Sequence, residues 1–201
     1  LTERLARQAA ANGAHFVFLS SVKVHGERSK TPFTERSAMA PEDPYGASKA
    51  RAEDALCAIA GLRLAVLRPP LVYGPGVKAN FLALMRAIAR GWPLPVASID
   101  NRRSLIYVGN LVDAIARAMQ MEGAYLVSDG AALSTPQLCR DIAAALGTRA
   151  RLFAFPQPLL PAKLAASLEV DDGAFRRRAA WQAPFSPSQG LRSTADWYLG
   201  R

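Results

Sequence analysis

Hydrophobic positions fall into blocks whose period changes along the chain. Leu1, Leu5 and Ala9 recur at helical spacing, so 1–12 predicts a helix, closed by Gly13. "HFVFLS" (15–20) is a short apolar run of the kind that a strand buried in a parallel sheet requires. A polar loop with Gly26, Pro32, Pro41 and Pro44 follows, then a helix over 45–60 stopped by Gly61, then a second buried strand, "LRLAVLR" (62–68). "PPLVYGPG" reads as a loop, and 79–90 as a helix ending at Gly91. "WPLPVASIDNRRSLIYV" mixes loop and strand signals; beyond it come a helix over 110–121, a strand "AYLVSD" (124–129) and a helix over 135–146. That last helix has Ser134 or Thr135 as N-cap and Pro136 in its first turn. After "RLFAF" the chain turns Pro-rich and ends in short helices around 158–168, 171–180 and 187–199. Strands alternating with helices predict an α/β fold with a parallel sheet, and the less regular last third predicts a small α-rich lobe.

Composition narrows the class. The chain has 201 residues, 50% of them hydrophobic and 20% charged, which suits one domain with its own core, or one domain and a small lobe. No apolar run approaches the roughly 18 residues of a membrane span, and the start carries no signal-peptide pattern. Cys57 and Cys139 sit far apart in helical patterns; they predict reduced core residues and a cytoplasmic setting, with no disulfide and no metal site. The formal charge of +9 comes from arginines scattered among alanines, with "RRR" at 176–178 as the one basic block. That scatter does not predict nucleic-acid binding, but it leaves arginines for an anionic substrate such as a diphosphate. The helical pattern is already under way at Leu1, which predicts a chain cut from a longer protein.

Two stretches invite a chemical reading. "GPGVKA" (74–79) fits a dinucleotide fingerprint, yet Pro75 removes a backbone N–H from the loop that would cradle phosphate, and "RPPLVY" separates the strand from the first glycine. It is expected to be a plain loop at the sheet edge. In "PYGASKARAEDAL" (44–56), Tyr45 and Lys49 lie one helical turn apart on one face. A phenol with a pKa of about 10 is a poor base at neutrality, and a neighbouring ammonium favours its ionised form. The pair alone equally describes an ordinary exposed helix face. Ser20 and Ser21 at the end of the first strand, the edge where open α/β sheets hold ligands, favour the chemical reading.

Four ordered blocks, "FLSSVKVHGE", "PYGASKARAE", "LAVLRPPLVYGPG" and "RRSLIYVGNLVDAI", resemble the extended short-chain dehydrogenase/reductases, within them the NAD-dependent epimerase/dehydratase branch acting on sugar nucleotides. The resemblance implies the C-terminal part of a doubly wound, Rossmann-like sheet. It divides the chain into a catalytic half (1–78) and a substrate lobe (79–201) interleaved with remaining Rossmann elements at about 104–130. It implies NAD or NADP as cofactor, Tyr45 as proton-transfer group, Lys49 as its partner on the nicotinamide ribose, and Ser21 as hydrogen-bond donor to the reacting oxygen. Pro70 would lie along the nicotinamide, and Asn80 and Arg103 would bind a nucleotide- or diphospho-linked sugar, with Arg102 as an alternative to Arg103. The implied activity is C4 epimerisation through a keto intermediate, or alternatively reduction of a 4-keto sugar, in a homodimer paired through helices 1–12 and 45–60. A non-catalytic fragment is a further reading, since such enzymes carry their dinucleotide fingerprint in a βαβ half ahead of these blocks.

The chain also departs from that pattern. Val22 and Lys23 stand where sugar-nucleotide dehydratases carry an Asp-Glu pair, which argues against dehydration. His25 stands in place of a tyrosine and is expected to be a partly buried or solvent-facing loop residue. Leu71 replaces a substrate-binding asparagine.

Overall fold

The computed structural model describes residues 1–156 and 159–200. Three strands form a parallel sheet in the order β1 (His15–Leu19), β2 (Arg63–Arg68), β5 (Gly123–Leu126), with His15 opposite Arg63 and Ala65 opposite Gly123. Before β1 comes α1 (Thr2–Ala11), and α2 (Pro44–Cys57) makes the crossover from β1 to β2. Side chains alternate across β2, and both faces are covered. Val66 packs with Phe18 of β1, Ala6 of α1 and Leu56 of α2, while Ala65 and Leu67 pack with Leu111 and Ala114 of α4 (Val108–Ala118) and with Phe175 and Trp181. Continuous apolar runs follow directly from burial on both sides.

A second, two-stranded parallel ladder joins β3 (Leu71–Tyr73) to β4 (Leu105–Tyr107). The "PPLVYGPG" segment is therefore not wholly a loop: three residues between the prolines and Gly74 pair as a strand. The ladder carries a separate core in which Tyr73 packs against Phe81, Met85 and Ile88 of α3 (Ala79–Ala89), Leu138 and Ile142 of α5 (Thr135–Ala145) and Leu191 of α8 (Pro187–Leu199). Ser134 is the N-cap of α5, its side chain accepting from the Gln137 N–H. Of the helix expected at 158–168, the described residues include only a short α6 (Ala162–Ala165), and 157 and 158 lie outside the described residues; α7 spans Gly173–Ala179. Cys139 is buried as expected, but Cys57 is exposed, because the last turn of α2 presents it away from the sheet.

A half-buried carboxylate ties the lobe to the sheet. Asp129, just past β5, accepts from the Tyr107 backbone N–H at 3.0 Å, from Asn110 Nδ2 at 2.7 Å and from the Tyr73 hydroxyl at 2.9 Å. Burial raises its pKa against those donors, and burial beside Asp129 pushes the Tyr73 phenol upward as well. Asn110 also donates to the Phe185 carbonyl and accepts from its N–H, both at 2.9 Å, which fixes the start of α8.

Candidate active site

The C-terminal ends of β1 and β2 and the N-terminus of α2 meet at one edge of the sheet. Ser21 follows β1 and caps a 3₁₀ turn over Val22–Val24, its side chain accepting from the Lys23 N–H at 3.3 Å. Asp43 caps α2 in the same manner, accepting from the Gly46 N–H at 2.6 Å, and Pro44 takes the first helical position. Lys23 joins the two caps through ion pairs to Asp43 and to Glu27. The Lys23 hydrogen bond holds the Asp43 carboxyl below the usual range, and these carboxylates raise the lysine despite its partial burial.

Gly46 lets the elements close. A Cβ there would lie 2.6 Å from the Lys23 carbonyl oxygen, so only glycine allows the first turn of α2 to rest on the 3₁₀ turn. Tyr45, the preceding residue, is thereby held beside the Ser21 turn with its side chain 52% exposed. One turn on, Lys49 Nζ donates to the Leu19 carbonyl at 2.8 Å and lies 5.8 Å from the Tyr45 ring centroid and 4.9 Å from that of Phe18. The lysine is thus anchored by the end of the strand that leads to Ser21. An ammonium has three donors, so two remain for a ligand.

The remaining predicted residues lie on other elements. Pro70 is buried immediately after β2. Asn80 is exposed in the first turn of α3. Arg103 is half-buried between Leu133 and Leu168; burial lowers its pKa and the negative charge of Glu27 opposes that. Glu27 therefore links the Ser21 turn to Arg103. Arg102 instead makes a two-pronged pair with Glu169, at 2.9 and 2.8 Å, which commits it to the tail and leaves Arg103 as the inward-facing arginine. Val22 is buried and Lys23 is engaged by two carboxylates, so this turn offers no acid–base pair at the positions a dehydratase uses.

A buried triad beneath the site was not predicted. Arg68, at the end of β2, makes a two-pronged ion pair with Glu53 of α2, and its Nη1 meets His25 Nε2 at 3.2 Å. His25 Nδ1 lies 3.2 Å from the Ala38 carbonyl, and its ring stacks on Phe33 at 5.4 Å. His25 is thus buried, further than the partly buried or solvent-facing loop position expected of it, and burial lowers its pKa. The signal was faint: Glu53 falls four residues after Lys49 and reads as helix surface, whereas a charge at the end of an apolar strand, Arg68, asks for a buried partner.

Whether these residues suit a nicotinamide cofactor is decided by donors and shape. Lys49 with two spare donors, the exposed Tyr45 and the apolar Pro69–Pro70 corner fit the ribose and ring of such a group. The "GPGVKA" loop does not fit its pyrophosphate. Pro75 has no N–H, Val77 donates its own to the Gly74 carbonyl at 3.0 Å, and Gly74 (φ +148°) is packed so closely on Val108 that a Cβ would collide.

The doubly wound parallel fold and the Ser–Tyr–Lys edge define the class of Rossmann-like dehydrogenase/reductase proteins. The family model described as "NAD dependent epimerase/dehydratase family" matches residues 1–127, and the chain belongs to that family. The chain is similar to a UDP-glucose 4-epimerase of Vibrio cholerae, 38% identical over 221 residues that cover 98% of this chain and 67% of the relative. It is 27% identical over 158 residues to a dTDP-4-dehydro-6-deoxyglucose reductase of Escherichia coli, covering 71% of this chain and 49% of that protein. Among solved structures, RMD from Pseudomonas aeruginosa complexed with NADPH superposes with a TM-score of 0.79 at 26% identity, covering 100% of this chain and 72% of that one. The chain thus spans about two-thirds, or less, of the curated relatives it matches.

Proposed function

We propose that this chain forms the catalytic and substrate-binding part of an NAD(P)-dependent epimerase that inverts C4 of a nucleotide- or diphospho-linked sugar. The observation that carries the reading is the Lys49–Leu19 hydrogen bond, which seats the lysine at the end of the strand leading to Ser21 with Tyr45 one turn away. Ser21, Tyr45 and Lys49 act together. Tyr45 takes the proton from the sugar 4-hydroxyl and later returns it, Lys49 stands one helical turn away beside it, and Ser21 donates a hydrogen bond to the reacting oxygen. A bound nicotinamide would supply the hydride chemistry at the carbon that bears this hydroxyl; Lys49 and Tyr45 would hold its ribose, and Pro70 would meet its ring. Asn80 and Arg103 hold the diphosphate, a guanidinium suiting two phosphate oxygens at once. In this reading 1–78 is the catalytic half and 79–201 the substrate lobe, apart from the Rossmann elements at about 104–130.

The second reading, a 4-keto-sugar reductase, uses the same residues, with Tyr45 giving a proton to the keto oxygen; the similarity to the E. coli reductase favours it. The two separate on cofactor balance. The complete natural protein, given UDP-galactose and catalytic NAD⁺, is expected to form UDP-glucose with no net change in reduced nicotinamide. Stoichiometric consumption of NAD(P)H with a keto sugar, and no interconversion, identifies the reductase; neither activity over a panel of nucleotide sugars refutes both.

A further inference from the structure

The arginines of this chain keep unequal company. Several near the sheet are matched, Arg7 with Glu3, Arg28 with Glu42, Arg63 with Glu122, Arg68 with Glu53 and Arg102 with Glu169, although Arg4, Arg51 and Arg117 form no ion pair among the described residues. Those on the outer side of the lobe are not matched. Residues 55–99 and 142–168 contain no aspartate or glutamate. Among the described residues, Arg90, Arg140, Arg149 and Arg151 form no ion pair. The same region exposes large apolar side chains, Trp92 at 56% and Phe153 at 44%.

These groups are contiguous. The Arg90 guanidinium lies 5.5 Å from the Trp92 ring centroid, and Arg151 Nη1 donates to the Gly91 carbonyl at 3.4 Å. The Leu94 N–H donates to the Arg151 carbonyl at 2.8 Å and the Phe153 N–H to the Leu94 carbonyl at 3.0 Å, so the segments bearing Trp92 and Phe153 run side by side. A shallow groove beside them is lined by Ala97, Leu152, Arg140 and Arg149. Trp92 projects from "GWPLP", where two prolines fix the backbone of the turn.

We propose that this face docks onto an anionic lipid bilayer, with Trp92 and Phe153 entering the interfacial layer and Arg90, Arg149 and Arg151 meeting lipid phosphates. Charge of a single sign beside exposed aromatic side chains is the combination that holds proteins at such a surface. Single-stranded nucleic acid asks for open aromatic faces on which bases stack. Here Arg90 covers one face of Trp92, and Phe153 is engaged edge-to-face with Phe155 at 6.4 Å. Docking is peripheral, since no helix among the described residues is long and apolar enough to cross a membrane. The proposal does not depend on the catalytic reading.

Sedimentation of the complete natural protein with vesicles tests it. Binding is expected to mixed phosphatidylcholine–phosphatidylglycerol vesicles, not to phosphatidylcholine alone, and salt releases it. The pair Trp92→Ser with Phe153→Ser, and separately Arg90→Glu with Arg151→Glu, are each expected to weaken binding by about tenfold or more. Arg7→Glu with Arg28→Glu, an equal charge change at two ion-paired arginines away from these segments, is expected to weaken it by no more than about twofold. Thermal midpoints verify that each variant is folded. Absence of vesicle binding, a loss in the control equal to that in the arginine pair, or retention of an oligonucleotide in place of vesicles overturns the proposal.

Discussion

Arg68 shows how much depends on one buried cation. It ties β2, which leads to Pro70, to Glu53 on the helix that carries Tyr45 and Lys49, and to His25 after the Ser21 turn. Removing one member of a buried ion pair strands the other, so Arg68→Met is expected to cost about 3–5 kcal/mol, read as a lowered urea midpoint. His25 adds a pH dependence. Its pKa in the folded chain lies below the ordinary 6.5, so the unfolded chain binds the proton more readily. Its contribution to stability is therefore full above that value and is lost as pH falls from 6.5 through the folded pKa. Urea midpoints are expected to fall more steeply over this range in the wild type than in His25→Asn; identical slopes would remove His25 as the cause. Tyr45 and Lys49 were legible in the sequence because helical spacing alone puts them on one face. The triad was not: Arg68 at the end of an apolar strand asks for a buried partner, but Glu53 and His25 read as surface residues until three elements are brought together.

At the scale of elements, close approach of α2 to the 3₁₀ turn builds the site, and Gly46 permits it. Gly46→Ala places a methyl against the Lys23 backbone, which cannot swing away as a flexible side chain would. It is expected to destabilise the fold by about 1–3 kcal/mol, measured by thermal or urea unfolding, and to reduce turnover together with it. Asp43→Ala, which removes the helix cap, is expected to cost about 1 kcal/mol. Most elements were legible: β1 and β2 from unbroken apolar runs, and α1, α3 and α5 from spacing closed by glycine or opened by a cap. The β3 strand was not, since three residues between prolines and a glycine carry no period. Only its pairing with β4, more than thirty positions away, makes it a strand.

For the whole molecule, the outward sides of α1 and α2 suggest self-association. Leu1 and Leu5 are 87% and 46% exposed on α1, and α2 is rich in alanine, which permits close packing. We infer a homodimer through these helices; light scattering is expected to give twice the chain mass, and Leu5→Glu to return it to the monomer value. A monomer in the wild type would contradict this.

The family was legible from four blocks in order, whereas the sugar and its carrier were not, because exposed side chains such as Leu71 and Asn80 carry no signal of what they would meet. If Tyr45 moves the proton at the reacting oxygen, Tyr45→Phe in the complete natural protein loses about 10²–10⁴-fold in kcat with nucleotide-sugar binding retained. Turnover equal to the wild type would contradict that role.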